Sequence, residues 1–133
     1  MNHLRDTYAT VHGDMPEHRD CVVRAVSVAS GKPYSTIHAQ LKACGRKDRR
    51  GTKLQTSACF FTMFFPNANY KNLQVLGRPT LSQFVRAYPT GRFVLFTRAH
   101  ALALVDGIVH DWKASPKRRL ICCWQLQEEK ETI

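Results

Sequence analysis

The chain has 133 residues, 44% hydrophobic and 23% charged, with a formal charge of +10. That length makes one domain with one core, and the apolar fraction excludes a disordered chain, which lacks the buried surface needed to offset ordering entropy. No stretch approaches the roughly 18 consecutive apolar residues that span a bilayer, and MNHLRDTYAT is too polar for a secretion signal, so a cytoplasmic protein without a membrane segment is expected.

Residues 1–19, with Gly13 and Pro16, read as an irregular lead-in. DCVVRAVSVASG then opens on the N-cap candidate Asp20 and closes on Gly31, and its apolar residues cover nearly every face, which predicts a buried, central helix. After the Lys32-Pro33 break, YSTIHAQLKAC places Tyr34, Ile37, His38 and Leu41 at helical spacing and stops at Gly45. TKLQTSACFFTMFF predicts a third helix ended by Pro66. A short strand is predicted at LQVL, residues 73–76, then a helix in TLSQFVRAY with Thr80 as N-cap, then a Pro-Thr-Gly turn. The strands RFVLFT, HALALV, IVHDW and LICCWQL follow, and the tail at 127–133 is polar. Helices first and strands second predict an α+β domain, with a helical half over 20–65 packed on an antiparallel sheet half over 73–126 that carries one helix at about 80–88.

Within the sheet half, Val105-Asp106-Gly107-Ile108 is a hairpin signal, because a type I′ turn needs positive φ at both central residues and Asp-Gly tolerates it. A two-residue loop puts residue 105 opposite 108, 104 opposite 109 and 102 opposite 111. His100 and Asp111 then share a sheet face as diagonal neighbours, about 7 Å apart at the backbone and within side-chain reach. His110 falls opposite Ala103 on the other face; a loop one residue longer or shorter would exchange the two histidines.

A carboxylate bonded to one imidazole nitrogen fixes the tautomer and frees the other nitrogen to act as a base. The nucleophile that this base would serve is sought among five cysteines, an odd number with no CxxC pair and no disulfide framework. Cys21 is the first residue of the helix that Asp20 caps, where partial positive charge favours a thiolate. Cys44 lies at the opposite, helix C-terminal pole, Cys59 is mid-helix, and of Cys122 and Cys123 one faces each side of a strand. Two other readings stand beside this one: His100 and Asp111 as a buried polar pair that merely fixes the sheet, and His18 with Cys21 as an HxxC half-site for a metal, for which no second ligand pair at zinc-like spacing exists. No motif implies a cofactor.

The positive charge is concentrated in two predicted loops. RKDRRGTK (46–53) has five basic residues against one acid, and KASPKRR (113–119) has four and none. Arg46, Lys47, Arg49, Arg50, Lys117, Arg118 and Arg119 are read either as solvated loops that maintain solubility or as a surface for an acidic partner, a host protein or nucleic acid. Aromatic residues are not interleaved with them, which disfavours a base-stacking platform.

Asp-Cys at the head of a buried helix, His at the head of a strand and Asp on the next strand together resemble the papain-like cysteine peptidase superfamily. DCVVRAVSVASGKPYSTIHAQL, RRGT and GRFVLFTRAHALALVDGIVHDW also resemble small bacteriophage-encoded cysteine-peptidase-like proteins, over roughly residues 20–126. The resemblance implies a papain-like fold, Cys21 as nucleophile, His100 as general base and acid, and Asp111 as the orienting carboxylate. It further implies a covalent hydrolase acting on a protein or peptide in the host cytoplasm. The sequence departs from the family where an oxyanion-hole glutamine is expected six residues before the cysteine, a position held here by Met15, so the Cys21 backbone N–H becomes the expected donor. Fold alone does not fix chemistry, and the alternative function is a degenerate domain of the same fold whose basic loops bind a host protein or nucleic acid.

Overall fold

The computed structural model describes residues 2–3, 20–47, 51–98, 100–111 and 116–127. Helix α1 (Cys21–Ser30) has Val22, Val23, Arg24, Ala25, Val26, Ser27 and Ala29 buried. It ends where Gly31, at φ 75°, donates its N–H to the Ser27 carbonyl at 3.0 Å, the left-handed turn that the glycine signals in the sequence. Helix α2 (Tyr34–Ala43) follows Pro33, and α3 (Leu54–Phe64) stops just before Phe65-Pro66, as a proline requires of the residue preceding it.

The remaining elements are strands with one helix between them. A two-residue strand β1 (Asn2–His3) and the short β2 (Asn69–Asn72) flank a meander of β3 (Arg92–Phe96), β4 (Ala101–Val105), β5 (Ile108–His110) and β6 (Cys122–Leu126). The spatial order is β1-β5-β4-β3-β6-β2, antiparallel throughout except for β1 against β5. Helix α4 (Leu81–Ala87) begins in a capping box, Thr80 Oγ1 accepting from the Gln83 N–H while the Gln83 side chain accepts from the Thr80 N–H. The architecture is α+β.

Both faces of the sheet are covered. On one, α1 to α3 pack against Val94, Phe96, Ala101, Ala103 and Cys122, and the paired alanines of β4 let the alanines of α1 approach the sheet closely. On the other, Leu81 and Phe84 of α4 meet Phe93, Leu95, Leu102, Leu104, Val109 and Cys123. Burial on two sides is why β3 and β4 read as continuous apolar runs with no polar alternation.

Two expected features are corrected. The strand foreseen at residues 73–76 is a turn: Leu73 is buried and still bonds the Ile121 carbonyl, whereas Val75 and Leu76 are 78% and 66% exposed. The strand is instead the polar NYKN segment just before it, an edge strand that pairs with β6 and needs few apolar residues. The irregular lead-in also contributes β1, whose Asn2 and His3 pair with Ile108 and Val109.

Candidate active site

The β4–β5 hairpin closes through Asp106 and Gly107 at φ 48° and 81°, the positive pair that a type I′ turn demands. A Cβ at Gly107 would stand 3.1 Å from the Pro89 carbonyl oxygen, so the turn also needs glycine for space. The ladder pairs Ala103 with His110, Leu104 with Val109 and Val105 with Ile108, the expected register. It carries His100 to the residue before β4 and Asp111 to the residue after β5, and their side chains meet, His100 Nε2 to Asp111 Oδ1 at 2.7 Å.

Helix α1 lies across β3 and β4 with its N-terminus at this end of the sheet, and Cys21 is its first residue. The Cys21 thiol shares a hydrogen bond with the His100 ring. With Asp111 on Nε2 of the same ring, the three side chains form a chain from sulfur to imidazole to carboxylate. Asp111 is 1% exposed and the His100 side chain 13%, so the pair works in a dry setting while Cys21 is only half-buried. Burial alone would lower the His100 pKa; hydrogen bonds to Asp111 and Cys21 and the charges on both outweigh it and raise it to about 9. The Thr97 backbone N–H and Oγ1 both donate to the His100 carbonyl, at 2.8 and 3.2 Å, and so fix the backbone from which the ring projects.

His110 is excluded from this chain. It is buried on the Ala103 side of the sheet, one residue short of Asp111, which meets His100 beyond the strand end, its Nδ1 has no hydrogen-bond partner among the described residues, and burial together with the Arg92 charge lowers its pKa. The other cysteines are also set apart. Burial raises the Cys122 and Cys123 thiols, the latter to about 12, and the two sit in the cores on opposite sides of the sheet. Cys44 and the exposed Cys59 both contact Met63 Sδ at 3.8 Å, remote from the histidine in the fold.

Asp20 occupies the N-cap position of α1, but its side chain makes no capping hydrogen bond, contrary to expectation. The carboxylate turns inward to receive Arg24 Nε at 2.9 Å on each oxygen and Tyr34 Oη at 2.6 Å on Oδ2. With Asp20 1% and Arg24 6% exposed, this is a buried ion pair that ties the start of α1 to the start of α2, and the demand of the buried guanidinium outweighs the cap. Asp20 therefore positions the helix that carries Cys21 through its anchor on Arg24 and Tyr34, with no capping bond.

The basic loops divide. Lys47, Lys117, Arg118 and Arg119 are exposed, whereas Arg46 is 3% exposed, its backbone N–H closing the end of α2 on the Leu41 carbonyl, and is withdrawn from any partner surface. Arg49, Arg50, Met15 and His18 lie outside the described residues. Among the described residues no group of three His, Cys, Asp or Glu side chains gathers as a metal site, and no helix is long and apolar enough to cross a membrane.

The sequence reading missed Thr97, Arg24 and Tyr34. Thr97 works through a backbone carbonyl, which leaves no trace in residue spacing. The Arg24–Asp20 pair has a local signal, opposite charges one helical turn apart, that was available from the start. Comparison of the chain with protein-family models, with curated proteins and with solved structures finds no match in any of the three.

Proposed function

We propose that the protein is a cysteine hydrolase of papain-like fold, acting on an amide or related carbonyl in a protein or peptide. The observation that carries this reading is the continuous arrangement Cys21–His100–Asp111, with the sulfur at a helix N-terminus and the imidazole bonded to both thiol and carboxylate. A buried pair that only fixed the sheet would have no use for a half-exposed thiol on its open nitrogen.

The chemistry divides into two steps. Cys21 Sγ, as thiolate, forms a bond to the substrate carbonyl carbon, and the charge that develops on oxygen is met by the Cys21 backbone N–H, which as first in its helix has no intrahelical acceptor. The carbon–nitrogen bond then breaks as His100 Nδ1 gives its proton to the departing amine, leaving an acyl thioester on Cys21. Water attacks that thioester, neutral His100 accepts its proton, and the acid is released with thiolate and imidazolium restored. Asp111 holds the ring in place and stabilises its charged form throughout.

The test is acyl transfer from p-nitrophenyl acetate. A burst of one nitrophenolate per protein, with an acetyl group located on Cys21 by mass spectrometry, is expected in the native protein and is abolished by Cys21→Ala in a domain that still folds. Turnover that persists in Cys21→Ala would overturn the assignment.

A further inference from the structure

Beside the triad, at the same end of the sheet, Arg78, Thr97, Arg98, Arg118 and Arg119 line an open cleft of about 420 Å³. Four guanidinium groups in one cleft repel one another unless an anion is supplied. The described carboxylates are committed elsewhere: Asp20 to Arg24 and Tyr34, Asp106 to the Gly91 N–H, Asp111 to His100. Among the described residues none of the four arginines makes an ion pair.

Two further observations mark the cleft as built. Arg78 holds a left-handed backbone at φ 54°, a conformation that L residues rarely adopt and that glycine would take more readily. Its Nε is buried without a hydrogen-bond partner among the described residues, although Arg119 Nη1 is held on the Arg78 carbonyl at 3.0 Å. An unsatisfied buried guanidinium nitrogen next to exposed arginines is a position that a bound oxyanion would complete.

The strand order also sets roughly how far the cleft lies from His100. Arg98 and Thr97 follow β3, next to β4, and Arg118 and Arg119 precede β6, one strand further out. At about 4.8 Å between strands the cleft is centred roughly 5–10 Å from His100, a span covered by two or three residues of extended chain at about 3.3 Å each. Thr97 belongs to both places, lining the cleft and holding the His100 carbonyl.

We propose that this cleft binds an acidic side chain of the peptide substrate, two or three residues from the bond presented to Cys21. The proposal rests on the hydrolase reading above and supplies its substrate class. A peptide carboxylate is favoured over a nucleic-acid phosphate because, among the described residues, no aromatic side chain lines the cleft to stack a base.

The test compares chloroacetyl peptides that alkylate Cys21, the thiolate displacing chloride, with Glu or Ala placed one, two, three or six residues from the electrophile. Labelling of Cys21 is expected to be about tenfold faster for Glu than for Ala at the second or third residue and equal at the sixth. The ratio should fall towards one in the Arg118→Ala/Arg119→Ala variant and, in the native protein, when sodium chloride is raised from about 50 to about 500 mM. Equal labelling by Glu and Ala peptides at every position overturns the acidic preference and leaves the thiol chemistry standing. Failure of every peptide and of iodoacetamide to label Cys21 removes the hydrolase reading and this proposal with it. Suppression of the Glu preference by an oligonucleotide at lower concentration than by hexaglutamate would overturn it in favour of a phosphate backbone.

Discussion

Ala103 stands directly opposite His110 across the β4–β5 ladder, and this pairing decides that Asp111, the next residue, is the one that meets His100. Side chains alternate between faces, so placing His110 beside Ala103 sends its ring into the layer under α1, while residue 111 emerges beyond the strand end where it can reach His100.

The two histidines should therefore separate cleanly in reactivity. At pH 7, His100→Ala is expected to slow iodoacetamide alkylation of Cys21 by about tenfold or more, since the sulfur loses its hydrogen-bonded imidazole partner. His110→Ala should change the rate by less than about twofold. Alkylation followed residue by residue with mass spectrometry checks both, and an equal response to the two substitutions would dissolve the triad.

Stability should depend on pH through His100. Its folded pKa of about 9 lies above the ordinary 6.5, so protonation favours the folded state. The contribution is complete below about pH 6.5 and is lost as pH rises through about 9. Relative to His100→Gln, which keeps an amide donor for Asp111 but cannot titrate, the native protein should lose on the order of 1–2 kcal/mol between pH 6 and pH 10 after solvent screening. Urea unfolding of both proteins at the two pH values measures this; a stability gap that does not narrow would show that the ring is not held protonated by its partners.

The inward turn of Asp20 distinguishes an anchor from a cap. Asp20→Ala leaves Arg24 buried without its counter-charge and should cost about 3–5 kcal/mol. Asp20→Ser, which restores a good capping side chain, should recover little of it, because a hydroxyl cannot neutralise the guanidinium. Tyr34→Phe should cost about 1–3 kcal/mol, the value of one hydrogen bond to a charged group. Equilibrium denaturation ranks the three; near-native stability in Asp20→Ser would return Asp20 to the capping role.

What could be read from the chain was local. The start of α1 at Cys21, the N-cap at Thr80 and the Asp106-Gly107 turn each depend on residues within one turn of each other, and each formed as expected. The register of the hairpin followed from the turn alone, and with it the meeting of His100 and Asp111. What could not be read was set by distant partners. LQVL carries a strand composition, yet Asn72 Oδ1 accepts the Gln74 N–H and starts a turn there. Arg46 stands in a run of basic residues that reads as solvated, but the end of α2 draws it inside. The side chain of Asp20 chose between two legitimate uses, and the choice was made by Tyr34, fourteen residues on.

His100 is gripped by three separate parts of the chain: Thr97 at its carbonyl, Asp111 at Nε2 and Cys21 at the ring. Each grip removes a degree of freedom before any substrate arrives, so the entropy of orienting the base is settled during folding and does not oppose the encounter. On the proposed hydrolase reading, local rigidity at the mouth of the hairpin is itself a resource for the chemistry. Substitutions that loosen the Thr97 turn should slow alkylation of Cys21 while the melting temperature hardly moves, separating the reactivity of the site from the survival of its fold.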